Sequence, residues 1–153
     1  MTTVDWIVTL LLSAAPVAEL RGGLPYALAR GATPATAFAA AVAANLAIVP
    51  LLLLLLSRIE RLLRRWAWSR TVLERVLSRT RRKSRLVERF GAVGLVLLVA
   101  IPLPGTGAWT GCFVALVLGV PFRRSLPLIG LGVLIAGVLV LLASLGVLTW
   151  FSP

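Results

Sequence analysis

Between residues 90 and 122 the chain runs for 33 residues without a charge. One bilayer crossing takes about 20 residues, so this run is too long for one helix and too short for two plus a turn. Its middle reads IPLPGTG, residues 101–107. Pro102 and Pro104 remove backbone donors, and Gly105 and Gly107 favour a turn, so a straight helix breaks there. Two half-length helices meeting at a bend inside the bilayer, a re-entrant hairpin, satisfy both the length and the break. Irregular backbone at that depth survives only where it is buried in protein or lines a wet cavity. The alternative is one long helix kinked at proline.

The other uncharged runs fall into place around this one. Residues 6–18 give 13, short of a crossing, whereas residues 35–56 give 22 and residues 125–151 give 27. The last two are each long enough for a span. An offset of 88 lays Pro16 on Pro104, Gly23 on Gly111, Ala27 on Ala115, Leu28 on Leu116 and Gly31 on Gly119, five identities in the sixteen positions 16–31. The same order of features occurs twice: hairpin, then span. A mean hydropathy of +1.00 and 59% hydrophobic residues fit one integral membrane domain. Asp5, with no Lys or Arg before it, does not suit a secretory signal, so the N-terminus is read as structure.

Charge sets the orientation. Of 16 basic residues, twelve lie in residues 58–89, against three acids there, a local net charge of +9. A basic block between apolar segments faces the cytoplasm by the positive-inside rule. The first hairpin then opens outward and the second inward. The expected fold is therefore all-α, with two inverted repeats as in secondary transporters. Its parts are a re-entrant hairpin (1–33), a transmembrane helix (34–56), basic cytoplasmic amphipathic helices (57–89), a second re-entrant hairpin (90–122) and a transmembrane helix (123–153). Helical spacing in the basic block suits helices on the inner leaflet, with Arg58, Arg61, Arg64 and Arg65 on lipid phosphates and Trp66 and Trp68 at the interface. Charge that merely sets topology explains that block equally well.

Composition removes other classes. With no histidine and one cysteine, Cys112, there is no Ser/His/Asp or Cys/His catalysis, no internal disulfide and no Cys/His metal site. No enzyme activity, cofactor or metal is expected, and the confined basic block argues against nucleic acid.

The stretch AELRGGLPYALARG, residues 18–31, places Glu19 and Arg21 between apolar segments. Each charge at the bilayer centre costs roughly 2.5–3.5 kcal/mol, so both must face something polar. Gly22, Gly23 and Pro25 argue against a continuous helix here, which frees both charges to turn toward one cavity. Pro25 suits a first helical turn, so a half-helix is expected from near Leu24, with a second starting at Thr106 to Ala108 from the opposite side. Two helix N-termini with Arg21 beside them make an anion site suited to phosphate or carboxylate. Glu19 is the internal acid able to couple proton movement. Asn45 on the next span offers a hydrogen bond to the site or between helices. Tyr26, Thr106 and Trp109 are candidate lining residues. The alternative is a headgroup-level ion pair that staples the hairpin.

The stretch AELRGGLPYALARG, with its E-x-R-G-x-x-P spacing, and ERFGAVGLVLLVAIPLPGTGAWTG together resemble the prokaryotic small multidrug export family over nearly the full chain. That family is distantly similar to the DedA/VTT superfamily, whose members carry two re-entrant hairpins in an inverted arrangement. The resemblance implies movement of a lipid-linked phosphate such as undecaprenyl phosphate, or phospholipid scrambling. DedA-like second hairpins carry an R-F-x-P-G-x-R pattern; aligned on Pro104 and Gly105, those arginine positions hold Ile101 and Gly107.

The expected function is a transporter or flippase for an anionic small molecule or lipid phosphate, proton-coupled through Glu19, in the prokaryotic inner membrane. Membrane lipids, the substrate and protons are the expected partners, and so small a chain is expected to form a homodimer. Alternatives are export of cationic amphiphilic drugs, and a lipid-organising protein that transports nothing.

Overall fold

A computed structural model describes residues 1–63, 90–103 and 105–151. Among them the chain is helical, with no strand. The helices are α1 (Thr3–Ala14), α2 (Glu19–Ala29), α3 (Pro34–Leu63), α4 (Phe90–Ala100), α5 (Ala108–Val117) and α6 (Phe122–Phe151).

Local chemistry explains where these helices start and stop. Thr2 and Asp5 form a reciprocal capping box at the start of α1. Ala15 precedes Pro16 and is extended (φ −68°, ψ 144°), as the proline ring demands, so α1 stops there. At the end of α2, Gly31 adopts φ 86° and completes a Schellman motif, with Gly31 N–H donating to Leu28 O and Ala32 N–H to Ala27 O. The end of α5 repeats this 88 residues later: Gly119 adopts φ 66°, Gly119 N–H donates to Leu116 O and Val120 N–H to Ala115 O. The starts of α3 and α6, Pro34 and Phe122, stand at the same offset.

Two helices are long and apolar enough to cross a membrane: Pro34–Arg58 within α3, mean hydropathy 2.5, and Phe122–Val147 within α6, mean hydropathy 2.8. They pack on each other where Gly137 of α6 leaves room for Phe38 and Val42 of α3. Ile129, Val133, Ala136 and Val140 form the buried stripe of α6, while Leu131, Leu134, Ile135, Val138 and Leu142 stay exposed on its other sides. A helix apolar all round suits a lipid surround.

The helices α1, α2 and α5 have 12, 11 and 10 residues, about 15–18 Å each. In both helix pairs one glycine, at equivalent positions, sets the approach of the two arms. A Cβ on Gly23 would lie 1.9 Å from Ser13 Oγ and 2.7 Å from the Thr9 carbonyl of α1; one on Gly111 would lie 2.6 Å from Val99 Cγ2 of α4.

The helix that carries the first span, α3, runs on through Ser57 and Arg58 to Leu63, because nothing there breaks a helix. The helix of the second span starts at Phe122. The expectation that the two glycines and Pro25 interrupt α2 fails. The helix runs unbroken from Glu19 with Pro25 inside it. Close packing against α1 at Gly23 outweighs the low helix propensity of glycine. The amphipathic helices expected after Leu63 lie outside the described residues.

Candidate functional site

The two breaks, residues 15–18 and 101–107, meet. Glu19 emerges from the first with a left-handed backbone, φ 49°, and among the described residues no other non-glycine has a positive φ. That conformation costs a side-chain-bearing residue about 1–2 kcal/mol, and a strained residue of this kind points toward function. Its carboxylate is carried to the N-terminus of α5, where Trp109 N–H donates to Oε1 at 3.3 Å. Gly107, the residue before α5, has φ 128° and ψ −165°, a region reserved for glycine. A Cβ there would lie 1.9 Å from Glu19 Oε2. Gly107 is thus glycine for two reasons: its backbone and the acid lying against it.

Arg21 goes to the other end of the same break. Its Nη1 donates to Leu103 O, and its Nη2 to Thr106 O at 2.9 Å and Thr106 Oγ1 at 3.0 Å. The Thr106 hydroxyl itself donates to Ile101 O at 2.7 Å. The guanidinium therefore gathers the carbonyls that follow α4, at the negative end of that helix, while Glu19 takes the positive end of α5. Two opposite charges two residues apart are divided between the two ends of one broken helix pair. That is why E-x-R can stand in so apolar a chain.

Trp109 locks the junction further, its indole Nε1 donating to Ala14 O at 3.0 Å. Beside this junction lies a narrow, partly open cleft of about 180 Å3, nowhere wide enough for a water molecule. Its lining includes Glu19 and Gly107, Leu20 and Ala108, and Asn45 and Val133, three pairs that are each 88 residues apart. Arg21, Val99 and Ala136 complete it. Glu19 is 5% exposed and Asn45 1%. Asn45 Nδ2 donates to Ser13 O at 3.0 Å, and its Oδ1 has no partner among the described residues.

Of the residues expected at the site, Glu19, Arg21, Asn45, Thr106, Gly107 and Trp109 come together here. Others do not. Tyr26 sits two turns away, at the open end of the first helix pair, where its hydroxyl donates to Asp5 Oδ1 at 3.3 Å and accepts from Arg30 Nε at 3.2 Å. Arg30 also pairs with Asp5 at 3.0 Å. Pro25 lines a separate apolar groove with Ala29, Ala143, Ser144 and Val147. Gly22 lies against Ala18, the residue before α2, and Gly23 serves the α1–α2 contact. Pro102 and Gly105 are exposed in the turn, and Gly105 O accepts from Thr110 Oγ1 at 2.9 Å. Pro104 lies outside the described residues. Of the expected lipid-surface residues, Arg58 is exposed and Arg61 lies on the backbone of α3; Arg64, Arg65, Trp66 and Trp68 lie outside the described residues. The contacts that the sequence concealed are backbone acceptors at Ser13, Ala14 and Leu103, because a carbonyl leaves no mark in residue identity.

At the open end of the first helix pair, hydrogen bonds from the Thr2 backbone and hydroxyl hold the Asp5 carboxyl below the usual carboxylate range, with Arg30 and Tyr26 adding to the effect.

The family described as "Putative small multi-drug export protein" matches residues 19–139. The chain belongs to this family. With two helices apolar and long enough to cross a bilayer, this member of the small multi-drug export family is a membrane protein of the transport class. The match begins at Glu19, directly after the first break, and takes in the second. No curated protein and no solved structure matches the chain.

Proposed function

We propose that this protein carries an anionic small molecule or a lipid-linked phosphate across the prokaryotic inner membrane, with a proton on Glu19 coupled to the movement. One observation carries the reading: a carboxylate rests at the N-terminus of α5, against Gly107 and on Trp109 N–H. A place that accepts that carboxylate accepts the carboxylate or phosphate of a substrate by the same chemistry, donor N–H groups at a positive helix end. Glu19 and the substrate compete for it. Protonation removes the charge of Glu19 and yields the place to the incoming anion.

The arrangement in the bilayer follows. Helices of about 15–18 Å reach halfway through a hydrocarbon core of about 30 Å, so α1–α2 and α4–α5 are re-entrant hairpins. With the basic stretch inside, α3 runs inward, the first hairpin opens outside and the second to the cytoplasm. The halves are then inverted repeats in one membrane domain. The repeated caps and the contact between the counterparts Glu19 and Gly107 support this. A homodimer completes the path around so small a chain, and no catalysis is involved.

Export of cationic amphiphiles is the second reading. It is favoured by the engagement of Arg21 with carbonyls, which leaves Glu19 as the charge a cation would meet.

Reconstituted vesicles decide. Glu19→Gln and Arg21→Ala, shown folded by circular dichroism, are expected to abolish uptake of labelled anion or lipid phosphate. Normal transport by both ends the proposal. Drug-driven proton release, lost in Glu19→Gln, selects the second reading.

A further inference from the structure

Asn45 holds an acceptor in want of a donor. Its amide nitrogen is committed to Ser13 O, its Oδ1 has no partner among the described residues, and the residue is 1% exposed. A buried acceptor left unsatisfied is costly, and native structures keep few of them. Asn45 lines the same narrow cleft as Glu19, and that cleft is too narrow for a water molecule to serve instead. Two side chains of the lining can carry a donor. Arg21 turns both of its terminal nitrogens to the turn after α4, onto Leu103 O, Thr106 O and Thr106 Oγ1. The other is Glu19, and only when it bears a proton.

We infer that Asn45 is the second seat of the Glu19 carboxyl: charged, the acid rests on the N-terminus of α5; protonated, it turns and donates its O–H to Asn45 Oδ1. The inference rests on the proton-coupled reading above and names the group that receives the neutral acid. It also supplies the link that coupling requires. The turn that satisfies Asn45 is the same turn that vacates Trp109 N–H, so one proton bound opens one place for an anion. Deprotonation pulls the carboxylate back and expels the anion by competition.

The groups able to disturb this switch are few. Arg21 stands on the same helix and Cys112 on α5, within electrostatic reach of Glu19. Val99 of α4 and Val133 and Ala136 of α6 present apolar surface to the space, and α3 brings Asn45 itself. Asp5 of α1 is held at the far end of its hairpin by Thr2 and Arg30.

The test is a pH titration followed by difference infrared spectroscopy on the full chain in lipid vesicles, without substrate. The protonated-carboxyl band of Glu19 is identified as the band lost in Glu19→Gln. In Asn45→Val the midpoint is expected to fall by about one pH unit, since one buried hydrogen bond to the neutral form is removed. The carbonyl stretch is also expected to rise in frequency. Asn45→Asp, read against its own Glu19→Gln background, is expected to move the midpoint upward, because a second acid opposes the charged form. It carries the test if Asn45→Val does not fold. An unchanged midpoint and frequency in Asn45→Val, or no upward movement in Asn45→Asp, overturns the switch. So does loss of the wild-type band on adding sodium at fixed pH, which would make the pair a cation site. A normal titration without transport removes the transport reading and leaves the switch standing. Normal transport with a flat titration removes the switch alone.

Discussion

The two helix pairs are built alike and charged differently. Each breaks near its middle, brings its arms together at a glycine and ends in the same Schellman motif. The first carries Asp5, Glu19, Arg21 and Arg30, whereas α4, α5 and the turn between them carry no charge. Where the first places Glu19, the second has Gly107; where α3 places Asn45, α6 has Val133. The difference shows a division of labour. The second pair supplies backbone, carbonyls after α4 and N–H groups at α5, and the first supplies the side chains that use it. A shared framework thus yields one lopsided polar site.

The largest effect expected of this comparison is all-or-none. With Cys112 replaced by Ala, single cysteines at 2 and 33 should both label from one face of the membrane, and those at 91 and 120 from the other. Labelling of either pair from opposite faces would make that segment a crossing and dissolve the likeness. Next comes Gly107→Ala, which forces a Cβ into Glu19 and onto a glycine-only backbone. A loss of roughly 2–5 kcal/mol is expected in a denaturant titration in mild detergent. Glu19→Gly, at the counterpart position, should instead relieve the left-handed strain and cost far less.

The paired glycines sharpen the comparison further. Gly23→Ala meets the Thr9 backbone carbonyl, which cannot give way, while Gly111→Ala meets the tip of Val99. Both are expected to destabilise by about 1–3 kcal/mol, Gly23→Ala the more. Equal losses would mean that the arms are not packed as described.

The smallest effect is at Asp5, which has no charged counterpart. Its folded-state pKa is lowered, so its support of α1 is present above the ordinary carboxylate range and is lost as pH falls through the depressed value. Asp5→Asn should speed amide exchange in the first turn of α1 at neutral pH. Mutant and wild type should converge in acid. A difference that persists there would place the effect elsewhere.

Much of this was legible in the sequence, for reasons that can be named. Charge-free run length and the proline–glycine break located α4, α5 and the turn between them. The offset of 88 anticipated the repeated caps because Gly31 and Gly119 are the residues that the turn demands. Glu19 and Arg21 stood out through their cost in an apolar chain. Other features were not legible. Gly22, Gly23 and Pro25 read locally as a helix break, yet Gly23 is there for the closeness of α1, a tertiary fact. Tyr26 read as a candidate lining residue, but it stands about two helical turns beyond Glu19, with Asp5 and Arg30. The carbonyls that hold Arg21 have no letter in the sequence at all.

The meeting of Glu19 with Gly107 carries one more consequence. In the inverted arrangement proposed above, a pair of counterparts in contact would lie on the axis between the halves, and here only one of the two bears an acid. Should the halves trade shapes during a working cycle, the two end states are not equal in energy. The molecule then rests facing one side of the bilayer, a bias written into its ground state by a single unmatched carboxyl.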